Sequence, residues 1–383
     1  MVPYIGAMIT ATTPQIAVGS RVRKSPYWQS TVDAGVTQFT VYNHMYMPTS
    51  YGDPEGEYKR LTEAVAIWDV AAERQVEISG PDARKLTQLL SARNIMSCRP
   101  GRARYAPMCD HRGHLINDPV ALCLDDDRFW LSIADSDVLL WAKAVAGERG
   151  ADVEVFEPDV SPLAIQGPKA VDLARDLFGG SLVDSLGMFH HTPVELDGIP
   201  VVLCRSGWSK RGGYEMFLTD GSRGNELWRK VVEAGKSYGI GPGTPNQQER
   251  IESGLLSFGS DTDPDIDPVE AGLGAFVSVD MEHDFIGKEA LRARLADAAT
   301  RRVIVNVAFD GEVPRSENPW PASCDGQPAG RVHNAVWSPK LARVIGLALV
   351  PSAVAVAGNR LEVDTPDGPR MATISEAAFG AIQ

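Results

Sequence analysis

Val201-Val202-Leu203-Cys204 runs directly into Arg205-Ser206-Gly207-Trp208-Ser209-Lys210-Arg211-Gly212-Gly213-Tyr214-Glu215. An apolar strand feeds a glycine-rich turn, and the chain leaves that turn with an aromatic residue and a carboxylate side by side. Glycine lets backbone approach a flat ligand closely. A carboxylate accepts two hydrogen bonds from an amidine-like ring edge. The combination suits a pterin or a similar heterocycle, although a glycine-rich hairpin turn explains the same letters.

Outward from this stretch, the segments before it alternate strand and helix. Tyr58, Leu61, Val65 and Trp68 recur at helical spacing and predict a helix over residues 57–68. The alternating Gln75-Val76-Glu77-Ile78 reads as a strand closed by Ser79-Gly80-Pro81, and Pro81-Asp82-Ala83 opens a helix through Leu86, Leu89 and Leu90. Strands follow over 104–108, 115–124 and 129–133, then a helix over 137–148. The pattern returns with strands over 153–156 and 163–165, a helix over 168–177, strands to residue 218 and a helix over 224–238. Another helix starts near Pro245-Asn246. Beyond about residue 301 the chain is almost free of helical signal and reads as a β domain. The first forty residues read as an irregular arm. Short links and this element order predict an α+β fold rather than a doubly wound sheet.

The 383 residues exceed one ordinary core, so two or three domains are expected. A formal net charge of -13 argues against a nucleic-acid partner. No apolar run approaches the ~18 residues of a membrane span. Residues 1–13 lack the basic start and cleavage site of a signal peptide. Cys98, Cys109, Cys123, Cys204 and Cys324 are odd in number and form no CxxC pair, which fits free thiols and a cytoplasmic location. The histidines show no ligand spacing, so no metal is expected.

Two further segments carry chemistry. His111-Arg112-Gly113-His114-Leu115-Ile116-Asn117-Asp118-Pro119 enters a strand whose alternation puts Asn117 and Asp118 on opposite faces. In Glu249-Arg250-Ile251-Glu252-Ser253-Gly254, the residues Glu249, Glu252 and Ser253 share one helical side.

These segments stand in the order found in one family. With Trp68-Asp69-Val70, Gly80-Pro81-Asp82-Ala83, Ala164-Ile165-Gln166-Gly167-Pro168, Pro268-Val269-Glu270-Ala271-Gly272-Leu273, Phe285-Ile286-Gly287-Lys288 and Ser338-Pro339, the chain resembles the glycine-cleavage T-protein (aminomethyltransferase) superfamily. The resemblance implies a three-domain cloverleaf. Two interleaved domains of antiparallel sheet and helix take residues 1–72 with 160–248, and 73–159 with 249–295. A β-barrel-like domain takes 296–383.

Departures point within the superfamily. Asn117-Asp118 replaces an Asp-Asp pair, Asn246 stands where an arginine is usual, and the turn Ser206-Gly207-Trp208-Ser209-Lys210 differs from the aminomethyltransferase form. Together with Val41-Tyr42-Asn43-His44-Met45 and Glu73-Arg74-Gln75-Val76, they are similar to the branch that demethylates dimethylsulfoniopropionate. That branch implies tetrahydrofolate as cofactor and methyl acceptor. It implies Asp118 as the catalytic residue and Glu215, Tyr105, Asn117, Tyr214 and Ser132 at the folate. Trp208, Tyr42, His44, Lys210 and Arg74 become candidates for the methyl donor, with Arg211 a further candidate for its carboxylate and Trp130 for its cation. A related demethylase of another onium, amine or methoxy compound, an aminomethyltransferase, or a non-catalytic folate-binding relative are the alternatives. The expected partner is a small-molecule substrate, and the oligomeric state stays open, a homodimer included.

Overall fold

The computed structural model describes residues 19–297, 300–316 and 318–375. Two antiparallel sheets and a barrel organise it. The first sheet has six strands in the order His191–Leu196, Ile199–Cys204, Gly213–Leu218, Ser161–Gln166, Val65–Asp69 and Ile240–Pro242. Only the last pair is parallel. The second has five, in the order Glu154–Phe156, Gln75–Ser79, Arg128–Ser132, Val120–Asp125 and Arg102–Tyr105. Six strands between Arg302 and Ile374 close into the barrel. The fold is α+β, as its sequence pattern implied.

Each sheet is covered on one face by helices. Ala170–Phe178 and Gly224–Gly235 pack on the first sheet through Leu173, Leu227 and Val231. Ala83–Leu90 and Val138–Arg149 cover the second through Leu86, Leu90 and Ala142. The opposite faces meet. Ala103, Leu122 and Trp130 from one sheet share a core with Val202, Cys204 and Phe217 from the other. The layers therefore run helix, sheet, sheet, helix, with two alternating apolar faces interdigitating between the sheets.

Residues 249–295 divide their contacts. The helix Gln247–Ser253 packs on the barrel through Ile251, Ile345 and Leu347, whereas Phe285 and Leu291 dock against Ala92 and Cys109 beside the second sheet.

Three expectations need correction. The strand expected over 115–124 is two, Leu115–Asn117 and Val120–Asp125, in different sheets with Asp118 and Pro119 between them. The helix expected over 57–68 stops at Glu63, and Val65–Asp69 is a fully buried strand. Asp53 caps the helix start by accepting from Gly56 N at 2.9 Å. Val65 and Ile67 are β-branched and favour the sheet, where they pair with Ser161–Gln166. Helical spacing of four apolar residues was outweighed by that pairing. The arm is not wholly irregular either: Trp28–Asp33 is a helix and Gln38–Tyr42 pairs with Met45–Ser50 as a hairpin. Tyr27 anchors it, fully buried, donating its hydroxyl to Ser161 O at 2.7 Å. No described helix is long and apolar enough to cross a membrane.

Candidate active site

Asn117 closes the strand Leu115–Asn117 and is fully buried. Its Nδ2 donates to Ala134 O at 2.9 Å and to Ser136 Oγ at 2.8 Å, and its Oδ1 accepts from the backbone N–H of Ala134 and of Asp118. Both amide hydrogens are thus spent on protein. Asn117 fastens the 117–118 step to residues 134–136. Asp118 there accepts a hydrogen bond from the Tyr105 hydroxyl. Burial raises the Asp118 carboxyl to about 7, against the opposing Tyr105 hydrogen bond and with a smaller push from the Asp261 charge. Phe276 stands edge-on to Tyr105 with ring centroids 4.9 Å apart. The result is a recessed carboxyl that changes protonation near neutrality.

The glycine-rich turn is seated on Gln166, which is fully buried. Gln166 Nε2 donates to Ser206 O at 3.1 Å, and Ser209 Oγ donates to Gln166 Oε1 at 2.7 Å. A Cβ on Gly207, whose φ is 145°, would come within 1.9 Å of Gln166 Nε2, and one on Gly213 within 2.3 Å of Ile165 O. These glycines are required because the chain passes directly over a buried amide. The strand Gly213–Leu218 then places Glu215 opposite Cys204 and Ala164, in the middle of the sheet. Ser206 Oγ donates to Glu215 Oε2, while Oε1 has no hydrogen bond from a described residue. Burial raises the Glu215 pKa, opposed by Ser206.

The other side of the turn meets the helix Gln247–Ser253. Asn246 caps this helix by accepting from Glu249 N at 2.9 Å. Glu249 Oε1 accepts from Lys210 N at 3.2 Å and Ser253 Oγ at 2.8 Å, and lies 3.3 Å from Arg211 Nε. Glu252 leaves the group its spacing suggested. It accepts from the Tyr58 hydroxyl at 2.8 Å and Ser338 Oγ at 2.5 Å, tying its helix to the helix Pro54–Glu63 and to the barrel.

The remaining candidates fall in different places. Ser132 is buried and accepts from Gln75 Nε2 at 2.9 Å. Tyr214 lies one residue from Glu215 and so on the opposite sheet face, inside the first sheet's helix-covered core. Trp208 donates from Nε1 to Leu256 O at 3.2 Å, and its ring already faces a cation, the Arg250 guanidinium, 5.7 Å from the centroid. Trp130 belongs to the core between the sheets and donates to Glu77 at 2.7 Å; it is no wall for a ligand cation. Tyr42 is half-buried, its hydroxyl pKa pushed up by burial and by the charges of Glu73 and Asp118. Arg74 is spent on Glu157, and His44 is exposed, 3.7 Å from Asp137. Lys210 is exposed, and its ammonium has no ion pair to a described residue.

Three residues with a part in this arrangement escaped the sequence reading. Gln166 sits in the Gln-Gly-Pro motif, but nothing in its spacing shows that it supports the turn forty residues later. Arg250 is wholly buried against Asp261 at 2.6 Å, a pairing with no periodicity to reveal it. Glu73 stands in the sequence only as part of the block Glu73-Arg74-Gln75-Val76. The cue to it was a lone acidic residue after the buried run Val70-Ala71-Ala72.

Among the described residues, no group of three or more His, Cys, Asp and Glu side chains is placed to hold a metal. The buried Glu215 with one free oxygen, the glycine turn beside it and the recessed Asp118–Tyr105 pair fit a flat ring rich in N–H donors.

Comparison with known proteins agrees with this architecture. Residues 28–281 match the GCVT N-terminal domain, and residues 301–379 the glycine cleavage T-protein C-terminal barrel domain. The chain is 41% identical over 356 residues to dimethylsulfoniopropionate demethylase DmdA of Ruegeria pomeroyi, covering 93% of this chain and 97% of that protein. It is 28% identical over 338 residues to the aminomethyltransferase of Caldanaerobacter subterraneus subsp. tengcongensis, covering 87% and 89%. The crystal structure of glycine cleavage system aminomethyltransferase T from Bartonella henselae superposes with a TM-score of 0.82 at 20% identity, over 94% of this chain and 98% of that one, and shows the same fold. By its sequence match across both of its domain models and by its fold, the chain belongs to the glycine-cleavage T-protein family of folate-dependent one-carbon transferases.

Proposed function

We propose that the protein is a tetrahydrofolate-dependent demethylase of dimethylsulfoniopropionate, releasing 3-(methylthio)propanoate and 5-methyl-tetrahydrofolate. The observation that carries this reading is the 41% identity to the Ruegeria demethylase along nearly the whole of both chains. The acidic site supports it, because a sulfonium is cationic and its positive charge makes the methyl group electrophilic.

Bound tetrahydrofolate would supply the N5 amine that takes the methyl group. The S–methyl bond breaks with its electron pair on sulfur, so a neutral thioether departs without acid assistance, and one proton must leave N5. Asp118, with its carboxyl poised at about 7, takes up that proton near neutral pH. Tyr105 holds Asp118 in place through its hydroxyl. Glu215 Oε1 accepts from the pterin edge. Lys210 receives the substrate carboxylate, since Arg74, His44 and Arg211 all have acidic neighbours. Holding the reactants in line lowers the barrier by up to ~7–11 kcal/mol in well-oriented systems.

The test is a coupled product analysis with purified protein. Dimethylsulfoniopropionate should be consumed only when tetrahydrofolate is present, with 5-methyl-tetrahydrofolate formed mole for mole with the thioether. Formation of 5,10-methylene-tetrahydrofolate, or turnover without folate, would overturn the reading.

A further inference from the structure

Residues 70–74 form a turn bound into the site from three sides. Glu73 N donates to Val70 O at 2.9 Å. Asn43, next to Tyr42, donates from Nδ2 to Ala72 O at 3.0 Å and to Ala134 O at 3.1 Å. Ala134 O is also the acceptor of Asn117, next to Asp118. Gln75 Nε2 donates to Glu73 O at 2.7 Å and to Ser132 Oγ. These bonds fix the Glu73 backbone among Tyr42, Asp118 and Ser132.

The side chain held there has no partner. Glu73 makes no side-chain hydrogen bond and no ion pair with a described residue, although its neighbour Arg74 is fully engaged with Glu157 and Asn43. The Gln75 Oε1, fully buried, also lacks a partner. The titratable groups that act on Glu73 are the carboxyls of Glu215 and Asp118, and Glu73 and Asp118 in turn act on the Tyr42 hydroxyl. No arginine or lysine among the described residues forms an ion pair with any of these carboxyls. A recessed carboxylate among like charges is costly unless something positive arrives.

We propose that Glu73 is the side chain that binds the positive centre of the methyl donor and discriminates the charged sulfonium from the neutral thioether it becomes, a role that rests on the demethylase reading. The chemistry has a clear direction. An onium group is attracted by a carboxylate and by an aromatic face such as that of Tyr42. Once the methyl group has left, sulfur is neutral, the attraction disappears and the thioether is released. Burial and the charges of Glu215 and Asp118 hold Glu73 well above the usual carboxylate range, so the incoming cation displaces a proton from it.

Calorimetry with trimethylsulfonium as the probe tests this apart from turnover. Wild-type protein should bind it, with a heat that varies with the ionisation enthalpy of the buffer because a proton is released. Glu73→Gln should weaken binding by tenfold or more and abolish the buffer dependence. Affinity for 3-(methylthio)propanoate and for tetrahydrofolate should stay within about twofold. The heating midpoint should hold, since the Glu73 side chain makes no hydrogen bond or ion pair to a described residue. Equal affinity of the two proteins for trimethylsulfonium, or none in the wild type, would overturn the assignment. Glu73-dependent binding of the probe without turnover of dimethylsulfoniopropionate would keep the cation site and sink the demethylase reading.

Discussion

Gly207 and Gly213 flank the same turn, yet the structure predicts different residual costs when the amide beneath them is removed. The three nearest neighbours of a Cβ on Gly207 are all side-chain atoms of Gln166, the closest at 1.9 Å. For Gly213 the closest is the backbone oxygen of Ile165 at 2.3 Å, followed by Gln166 Nε2 at 2.4 Å and Cδ at 2.6 Å. Gly207→Ala would displace Gln166 from its bonds to Ser206 O and Ser209 Oγ, each contributing about 1 kcal/mol net. Backbone strain at a φ of 145° adds about 1–3 kcal/mol. The sum is about 3–5 kcal/mol. Gln166→Ala alone loses the two hydrogen bonds, about 2 kcal/mol. In that background Gly207→Ala meets no amide, and only the strain remains.

The double variant should therefore be more stable than the sum of the single losses by about 2 kcal/mol, well outside the ~0.3–0.5 kcal/mol scatter of independent sites. Gly213→Ala also meets Gln166 and should couple to it, but in the Gln166→Ala background it keeps the clash with the Ile165 oxygen and should cost more there than Gly207→Ala. Urea unfolding of the four-protein cycle, followed by tryptophan fluorescence and repeated for Gly213, measures both couplings. Strict additivity for Gly207, or a Gly213→Ala cost in the Gln166→Ala background no larger than that of Gly207→Ala, would refute the seating of the turn on Gln166 and Ile165.

Three further outcomes follow from the site and its supports. Asp118→Asn should cut turnover by about 10²–10⁴-fold while leaving folate affinity largely intact, and the rise in wild-type rate with pH through about 7 should vanish; steady-state pH profiles read both. The same carboxyl should leave a stability signature in the ligand-free protein. Its folded pKa lies above the ordinary value near 4, so its contribution is present below that value and lost as pH rises toward about 7; a heating series from pH 4 to 8 should show a shallower fall for Asp118→Asn. Asp261→Asn leaves the Arg250 guanidinium buried without its counter-charge and should cost about 3–5 kcal/mol, seen as a lowered urea midpoint, and should loosen Trp208.

Alternation and turn chemistry made much of this protein legible in its sequence. Local rules bring a strand up to Asn117, with Asp118 just beyond its end, and they end the strand Ile199–Cys204 at a glycine-rich turn. The helix-poor composition after residue 301 announces the β domain, and the resemblance its barrel form. These features depend on neighbours within a few residues, so a single chain displays them. The same rules failed at residues 65–68, where the partner strand lies almost a hundred residues away and overrides helical spacing. They also grouped Glu249, Glu252 and Ser253, although Glu252 turns to Tyr58 and Ser338. Spacing shows which side chains share a face, not what stands opposite.

The sequence by itself determined the α+β class, the family and the main acidic residues of the site, because these reside in contiguous motifs. Only the tertiary structure decided which of those residues are free to meet a ligand. Asn117 and Arg74 are spent on protein, and Trp208 already faces Arg250, whereas Asp118, Glu215 and Glu73 are drawn together from three separate segments. The physical reason is that hydrogen-bond capacity and electrostatic reach are properties of distance in space. Residues 73, 118 and 215 acquire a shared environment only when the two sheets close on each other.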